Sequence, residues 1–296
     1  MKQLALVFLL ITVLQLQPQV QACSTVTREA KERVLVGYNL DTGSFFPKVW
    51  FIPAAEGQYG RMCFGNGDLF GVAEGGMNEK GLFVAVNALN EETGWKADPA
   101  LPDWETWEGW FGTGVPDGIL AKCGTVPDAI AVFRAFNLFT FRNVKFLLAD
   151  RQGNAVVIEW YDGGLRFLDR GSRNYLISTN SLTSTVADKP EICYRYKLAC
   201  EMLEKDPLCV TEAFFRRVLS AIHLEFGTPT VYSNICDLKA GDITLYYFHN
   251  YEEPIRLNLG QALKQGRHGF ELGKRFPIKP YVAQVYEDYY RQQTGK

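Results

Sequence analysis

The sequence predicts an α+β domain built on antiparallel sheets, with its helices gathered into separate layers. Two patterns lead to this. Short β-type runs bounded by glycine-rich turns recur in three blocks of the chain, and the helical runs fall between those blocks. A parallel βαβ fold would instead alternate single helices with single strands. The composition is that of a globular chain, with 47% hydrophobic and 22% charged residues, which argues against disorder.

Residues 1–22 read as a secretory signal: Lys2, an apolar run from Leu4 to Leu16 too short for a stable bilayer span, and a small-residue exit through Val20, Gln21 and Ala22. Its removal predicts an exported protein, periplasmic or secreted, with one domain over residues 23–296. From Cys23 to Leu89, strands are expected at Val34 to Asn39, Val49 to Ile52, Phe70 to Ala73 and Gly81 to Leu89, with turns such as the one at Gly65, Asn66, Gly67 and Asp68. Asp103 to Gly114, with Trp104, Trp107 and Trp110 among acidic residues, reads as a loop or short helical turn. Val126 to Ala135 reads as an amphipathic helix with Asp128 near its positive end. Phe146 to Ala149 and Ala155 to Trp160 flank the hairpin turn from Asp150 to Asn154, and Leu165 to Asp169 adds a strand. Leu176 to Ser181 is a strand with a polar end. Helices are expected at Glu191 to Leu203 and at Thr211 to Leu224, the second capped by Thr211. Strands resume at Thr230 to Asp237, Thr244 to His249 and Ile255 to Leu259. The tail after Phe270 is charged and tyrosine-rich, without a readable period.

A formal net charge of −2 and the lack of a long basic run exclude nucleic acid as the expected partner, and nothing favours a membrane surface. Seven cysteines in an exported chain leave one over, and Cys23 is the candidate. The other six, Cys63, Cys123, Cys193, Cys200, Cys209 and Cys236, either form disulfides, most readily within the close set Cys193, Cys200 and Cys209, or pack as buried thiols. No CxxC or paired Cys/His spacing occurs, so neither a metal nor a cofactor is expected.

Cleavage after Ala22 would make Cys23 the first residue, carrying a thiol and an α-amine together. An α-amine titrates near ~7.7–8.0 and a thiol near ~8.5, so the two groups can act as base and nucleophile without a histidine. Asp41 ends the strand-like run Val36 to Leu40. A hairpin between the first two strands would set its carboxylate beside the new terminus, where it would orient the amine; a turn-capping aspartate is the alternative. Asn180, at the polar end of Leu176 to Ser181, offers a neutral amide donor of the kind that stabilises an oxyanion, or a turn residue.

These residues together carry a resemblance. Cys23, the G-Y-N-L-D run ending at Asp41, the stretch G-M-N-E-K-G-L-F-V-A-V-N from Gly76 to Asn87, and S-T-N-S around Asn180 resemble the linear amide C–N hydrolases. That is the choloylglycine hydrolase family of penicillin V acylases and bile-salt hydrolases, in the N-terminal nucleophile superfamily. The resemblance implies a four-layer αββα sandwich and hydrolysis of a non-peptide amide through a thioester. It places the nucleophile on Cys23, the amine-orienting aspartate on Asp41 and the oxyanion asparagine on Asn180. A second oxyanion donor, a backbone N–H, falls at Asn87, with Asn90 as the other register. Arg195 is similar to a family arginine at the head of a helix, or is a solvated helix arginine. The expected substrate is a small N-acyl amide with an apolar acyl group, and Trp104, Trp107 and Trp110 either line its pocket or pack over a sheet edge. One departure stands out: Tyr38 occupies the place of the arginine in the family's G-R-N-L-D, which leaves a relocated cation or a less stabilised thiolate.

Two rival readings remain. A lipid-anchored periplasmic binding protein also begins with cysteine, although V-Q-A-C is a poor lipobox. An acyltransferase of the same family would share the thioester. A papain-type protease lacks its motif around Cys23 and has only His223, His249 and His268 to serve as base. The oligomeric state is open, and a homo-oligomer is compatible with the sequence.

Overall fold

The computed structural model describes residues 23–225, 227–276 and Asp288; the signal assigned to residues 1–22 lies outside them. The strands are β1 (Ser24–Ala30), β2 (Arg33–Asp41), β3 (Lys48–Ile52), β4 (Arg61–Gly65), β5 (Gly75–Asn78), β6 (Phe83–Ala88), β7 (Val144–Ala149), β8 (Ala155–Tyr161), β9 (Gly164–Asp169), β10 (Tyr175–Ser178), β11 (Thr230–Asp237), β12 (Asp242–Tyr247), β13 (Asn250–Asn258) and β14 (His268–Glu271). The helices are α1 (Val115–Lys122), α2 (Val126–Ala135), α3 (Thr183–Val186), α4 (Tyr194–Lys205), α5 (Glu212–Ala221) and α6 (Leu259–Leu263). These strands pair antiparallel throughout, in one sheet of order β10-β1-β2-β11-β12-β13 and another of order β14-β3-β4-β5-β6-β7-β8-β9.

Period-2 alternation assigns the layers. On β2, Val34, Val36, Tyr38 and Leu40 point between the sheets and meet Phe51, Phe64, Phe83 and Leu147 of the other sheet. The intervening Leu35 and Gly37 face α4 and α5 on the outer side, where Leu203, Phe215 and Leu219 pack. On the second sheet, Trp50, Val84, Phe146 and Ile158 face outward onto Ile119 of α1 and Ala129 and Phe133 of α2. The order of layers is helix, sheet, sheet, helix: the αββα arrangement expected from the resemblance.

Local chemistry ends the elements where they end. Thr125 caps α2 in a reciprocal box with Asp128, and the buried Asp150 carboxylate accepts the Val126 N–H at 3.0 Å, adding negative charge at the helix's positive pole. Thr211 caps α5 by accepting from the Phe214 N–H. Arg28, 1% exposed, donates to the carbonyls of Leu203 and Asp206 at the other end of α4, satisfying acceptors that the helix leaves open.

Several expectations are corrected. Phe70 to Ala73 is a loop, with Phe70 at φ 64° and Val72 58% exposed; the strands here are β4 and β5. Both are buried on both faces, so neither shows the alternation by which a strand is recognised. Helix α1 was unexpected. Its Pro116 sits in the first turn, where a missing N–H costs nothing. The Glu191 to Leu203 helix begins at Tyr194, after a 3-10 turn at Pro190–Ile192. All seven cysteines are unpaired, so of the two alternatives the disulfide within Cys193, Cys200 and Cys209 is not formed. Two helical turns separate Cys193 at the α4 cap from Cys200, about 10 Å of rise and beyond disulfide reach. Among the described residues no helix is long and apolar enough to cross a membrane.

Candidate active site

The site lies at one end of the six-stranded sheet, where β1 begins, β2 and β10 end and β11 begins. Cys23 is 2% exposed and packs in the cluster between the sheets. The register Ser24 to Asn39 brings it beside the last residues of β2, and the Asp41 backbone N–H favours its sulfur. The Tyr38 hydroxyl, next to the Cys23 thiol, also favours its ionised form, yet it is buried without an aligned hydrogen-bond partner.

On the helical side of the same strands, Arg195 gathers three segments. Its Nη1 donates to Ser24 Oγ at 2.8 Å and to Asp41 Oδ2 at 2.9 Å, and its Nη2 donates to Asn180 Oδ1 at 2.5 Å. Asp41 accepts a further hydrogen bond from the Thr230 hydroxyl at the start of β11. The guanidinium comes from α4, just past the helix start, and its side chain is 8% exposed. This is a buried organising group, not a solvated helix arginine. Tyr38 stands where the resemblance implies an arginine, and the guanidinium that reaches Ser24 and Asp41, beside Cys23, comes from the helical layer.

Asn180 is fixed at a second point, donating through Nδ2 to the Ala88 carbonyl at 2.7 Å. Its own carbonyl accepts the Asn90 backbone N–H at 3.2 Å, and Asn90 is exposed, so the alternative register is occupied in a structural bond. Asn87, fully buried at the end of β6, shares the inter-sheet face with Phe83 and Ala85 and accepts from Thr25 Oγ1 at 3.2 Å. Its side-chain nitrogen has no partner. An orphaned buried amide donor costs on the order of 1–3 kcal/mol, and this one is available to a hydrogen-bond acceptor at the end of β6. Ser178 Oγ, on the neighbouring strand end, is orphaned as well.

Burial dominates the electrostatics. It pushes the Cys23 thiol up to about 12, with the nearby Asp41 and Glu74 charges adding to the rise. It pushes the Asp41 carboxyl up to about 8, although Arg195 and Thr230 both favour the carboxylate. Cys23 is here peptide-bonded to Ala22, so no α-ammonium stands beside Asp41 to oppose that rise.

The aromatic run lies elsewhere. Trp104 packs edge-on against Trp107 and tilted against Phe133 on the outer face of the eight-stranded sheet, behind it as seen from Cys23. The ring next to the Cys23 thiol is Tyr38, which packs on Phe64 with centroids 4.9 Å apart, and Phe64 packs on Tyr232 at 5.3 Å within the same inter-sheet cluster. Of the histidines, His223 packs on His249 and His268 stacks on Phe51. Among the described residues no three His, Cys, Asp or Glu side chains converge as a metal set. Sequence reasoning missed Ser24, Thr230, Lys145 and Glu159. Ser24 was legible as the neighbour of Cys23, and Thr230 as the first residue of an expected strand; the other two had no motif around them.

No family model and no curated relative matches the sequence. Solved structures do match. A variant of conjugated bile acid hydrolase from Clostridium perfringens superposes with a TM-score of 0.68 at 14% identity, over 88% of this chain and 99% of that one. Penicillin V acylase from Agrobacterium tumefaciens gives 0.61 at 16% identity, over 87% and 94%. The Caenorhabditis elegans ortholog of N-acylethanolamine-hydrolyzing acid amidase gives 0.53 at 17% identity, over 84% and 100%. Over most of its length, then, this chain has the αββα fold of those N-terminal nucleophile hydrolases.

Proposed function

We propose that the chain, exported and cleaved before Cys23, hydrolyses the amide bond of a small N-acyl substrate with an apolar acyl group, through a thioester on Cys23. One observation carries the reading: Ser24 and Asp41, more than 150 positions before Arg195, are hydrogen-bonded with it and with Asn180 into one buried cluster beside Cys23. A packed core does not need such a cluster, and a buried carboxylate and guanidinium are costly to keep. The fold of the three solved amide-cleaving enzymes favours the same chemistry.

Cleavage would create an α-ammonium next to Asp41. The opposite charge would return Asp41 to its carboxylate form, and that carboxylate would then hold the amine over the thiol. The amine takes the thiol proton, directly or through a water, as the sulfur attacks the acyl carbon. The oxyanion draws on the Asn180 amide and on donors at Asn87. The protonated amine returns its proton to the leaving nitrogen, and water then opens the thioester. Tyr38, Phe64 and Tyr232 give this end of the inter-sheet space an aromatic wall suited to an apolar acyl chain.

The test combines N-terminal sequencing, intact mass and a panel of N-acyl amides: bile-salt conjugates, penicillin V, acyl-homoserine lactones and fatty-acid amides. Cysteine is expected as the first residue, with an acyl adduct on it during turnover and no turnover by Cys23→Ala. A different first residue, lipid on the Cys23 amine, or activity surviving Cys23→Ala would overturn the reading.

A further inference from the structure

We propose that Lys145 is a positioning residue that joins the two candidate oxyanion donors, Asn87 on one sheet and Asn180 on the loop leaving the other, into a single site. The inference rests on the amide-hydrolase reading above and adds a residue that no motif marks.

Asn87 and Lys145 are directly opposed across β6 and β7, and Lys145 Nζ lies 3.6 Å from Glu159 Oε2 on β8. Ala85, Leu147 and Val157, each two residues from one of the three, point between the sheets, so Asn87, Lys145 and Glu159 form one polar row on that face. Lys145 and Glu159 are wholly buried. From this row Lys145 reaches the loop after β10: Nζ donates to the Ser181 carbonyl at 2.5 Å and to Thr183 Oγ1 at 2.6 Å. Glu159 accepts the backbone N–H groups of Thr183 and Ser184, each at 2.7 Å. Ser181 follows Asn180 in the chain. Two of the ammonium's three N–H donors go to the loop, and the Glu159 carboxylate stands at ion-pair distance.

The same loop is tied to the end of β6 from the other side, through Asn180 Nδ2 to the Ala88 carbonyl and Asn90 N–H to the Asn180 carbonyl. The segment carrying Asn180 is thus clamped between the strand of Asn87 and the strand of Lys145. An apolar pair would hold the two strands together at least as well as this ion pair. What it could not do is satisfy the loop's backbone groups and so fix the angle of the Asn180 amide relative to Asn87. Oxyanion donors act only when held close to the position that the negative oxygen will take.

The experiment uses protein expressed from the full-length sequence as wild type, Lys145→Met, Lys145→Arg, and the double apolar variant Lys145→Met/Glu159→Leu. Three quantities are read: the thermal midpoint, kcat and KM on an N-acyl amide that the wild type cleaves, and the rate at which 4-nitrophenyl octanoate acylates Cys23, followed by intact mass. The double variant leaves no buried charge unpaired, so it keeps the test open if Lys145→Met alone fails to fold. It is expected to fold with a lower thermal midpoint, because the loop groups lose their partners, and with KM unchanged within about threefold, while kcat and the acylation rate fall about 100-fold, the cost of one displaced oxyanion donor. Lys145→Arg is expected to retain more of the rate than Lys145→Met. A folded double variant that acylates at the wild-type rate, whatever its midpoint, would overturn the proposal. If the wild type cleaves no amide but its Cys23 is acylated by the ester, the amide reading falls, and the role of Lys145 is decided on the acylation rate. If Cys23 takes no acyl group at all, both fall.

Discussion

At the scale of single residues, Arg195 shows what one planar fork can hold. Its two terminal nitrogens serve Ser24, Asp41 and Asn180 at once, and a lysine could not reproduce that geometry with a single ammonium. Arg195→Lys is therefore expected to keep the fold and lower kcat more than tenfold, measured on whichever amide the wild type turns over. Asp41 supports a prediction about pH. Burial raises its carboxyl in the folded chain to about 8, from 3.8. The folded state then holds a proton that the unfolded state has released, so this contribution to stability is complete below about pH 4 and lost as pH rises through about 8. In the uncleaved chain, chemical-denaturation midpoints are expected to fall between pH 5 and pH 9, and Asp41→Asn is expected to flatten that slope. A slope unchanged by the substitution would assign it to another group.

At the scale of elements, legibility followed run length and motif. Strand β2, although covered on both faces, could be read because Val34, Leu35, Val36 and Tyr38 make a β-type run that stops at Asp41, and α2 and α5 because Asp128 and Thr211 mark their starts. Strands β4 and β5 could not, since each is short and their glycines mimic turns. Gly76 shows why glycine is there: a Cβ would stand 2.1 Å from the Met62 carbonyl oxygen and 2.7 Å from Leu120 of α1. Gly76→Ala is expected to cost about 3 kcal/mol through forced displacement of strand and helix, read as a lower denaturation midpoint. The site was legible where short motifs carried it, at Cys23, Asp41 and Asn180. It was illegible where a lone charge on a strand does the positioning: nothing local separates Lys145 from any strand-end lysine, and its meaning comes from a loop 36 residues away. The three tryptophans misled for the opposite reason, since aromatic spacing alone does not say which face of a sheet is covered.

At the scale of the whole molecule, β2 has neighbours from opposite ends of the chain. It pairs with β1 just before it and with β11 almost two hundred residues later, and the Thr230 hydroxyl reaches Asp41 across a separation of 189 positions. Closing so long a loop is slow compared with forming the β1–β2 hairpin. A ribosome that has delivered only the first half of the polypeptide has therefore made a thiol with no arginine, no downstream amide and no third strand around it. On the reading that Cys23 is the nucleophile, the order of synthesis itself would keep its sulfur idle until translation has almost finished.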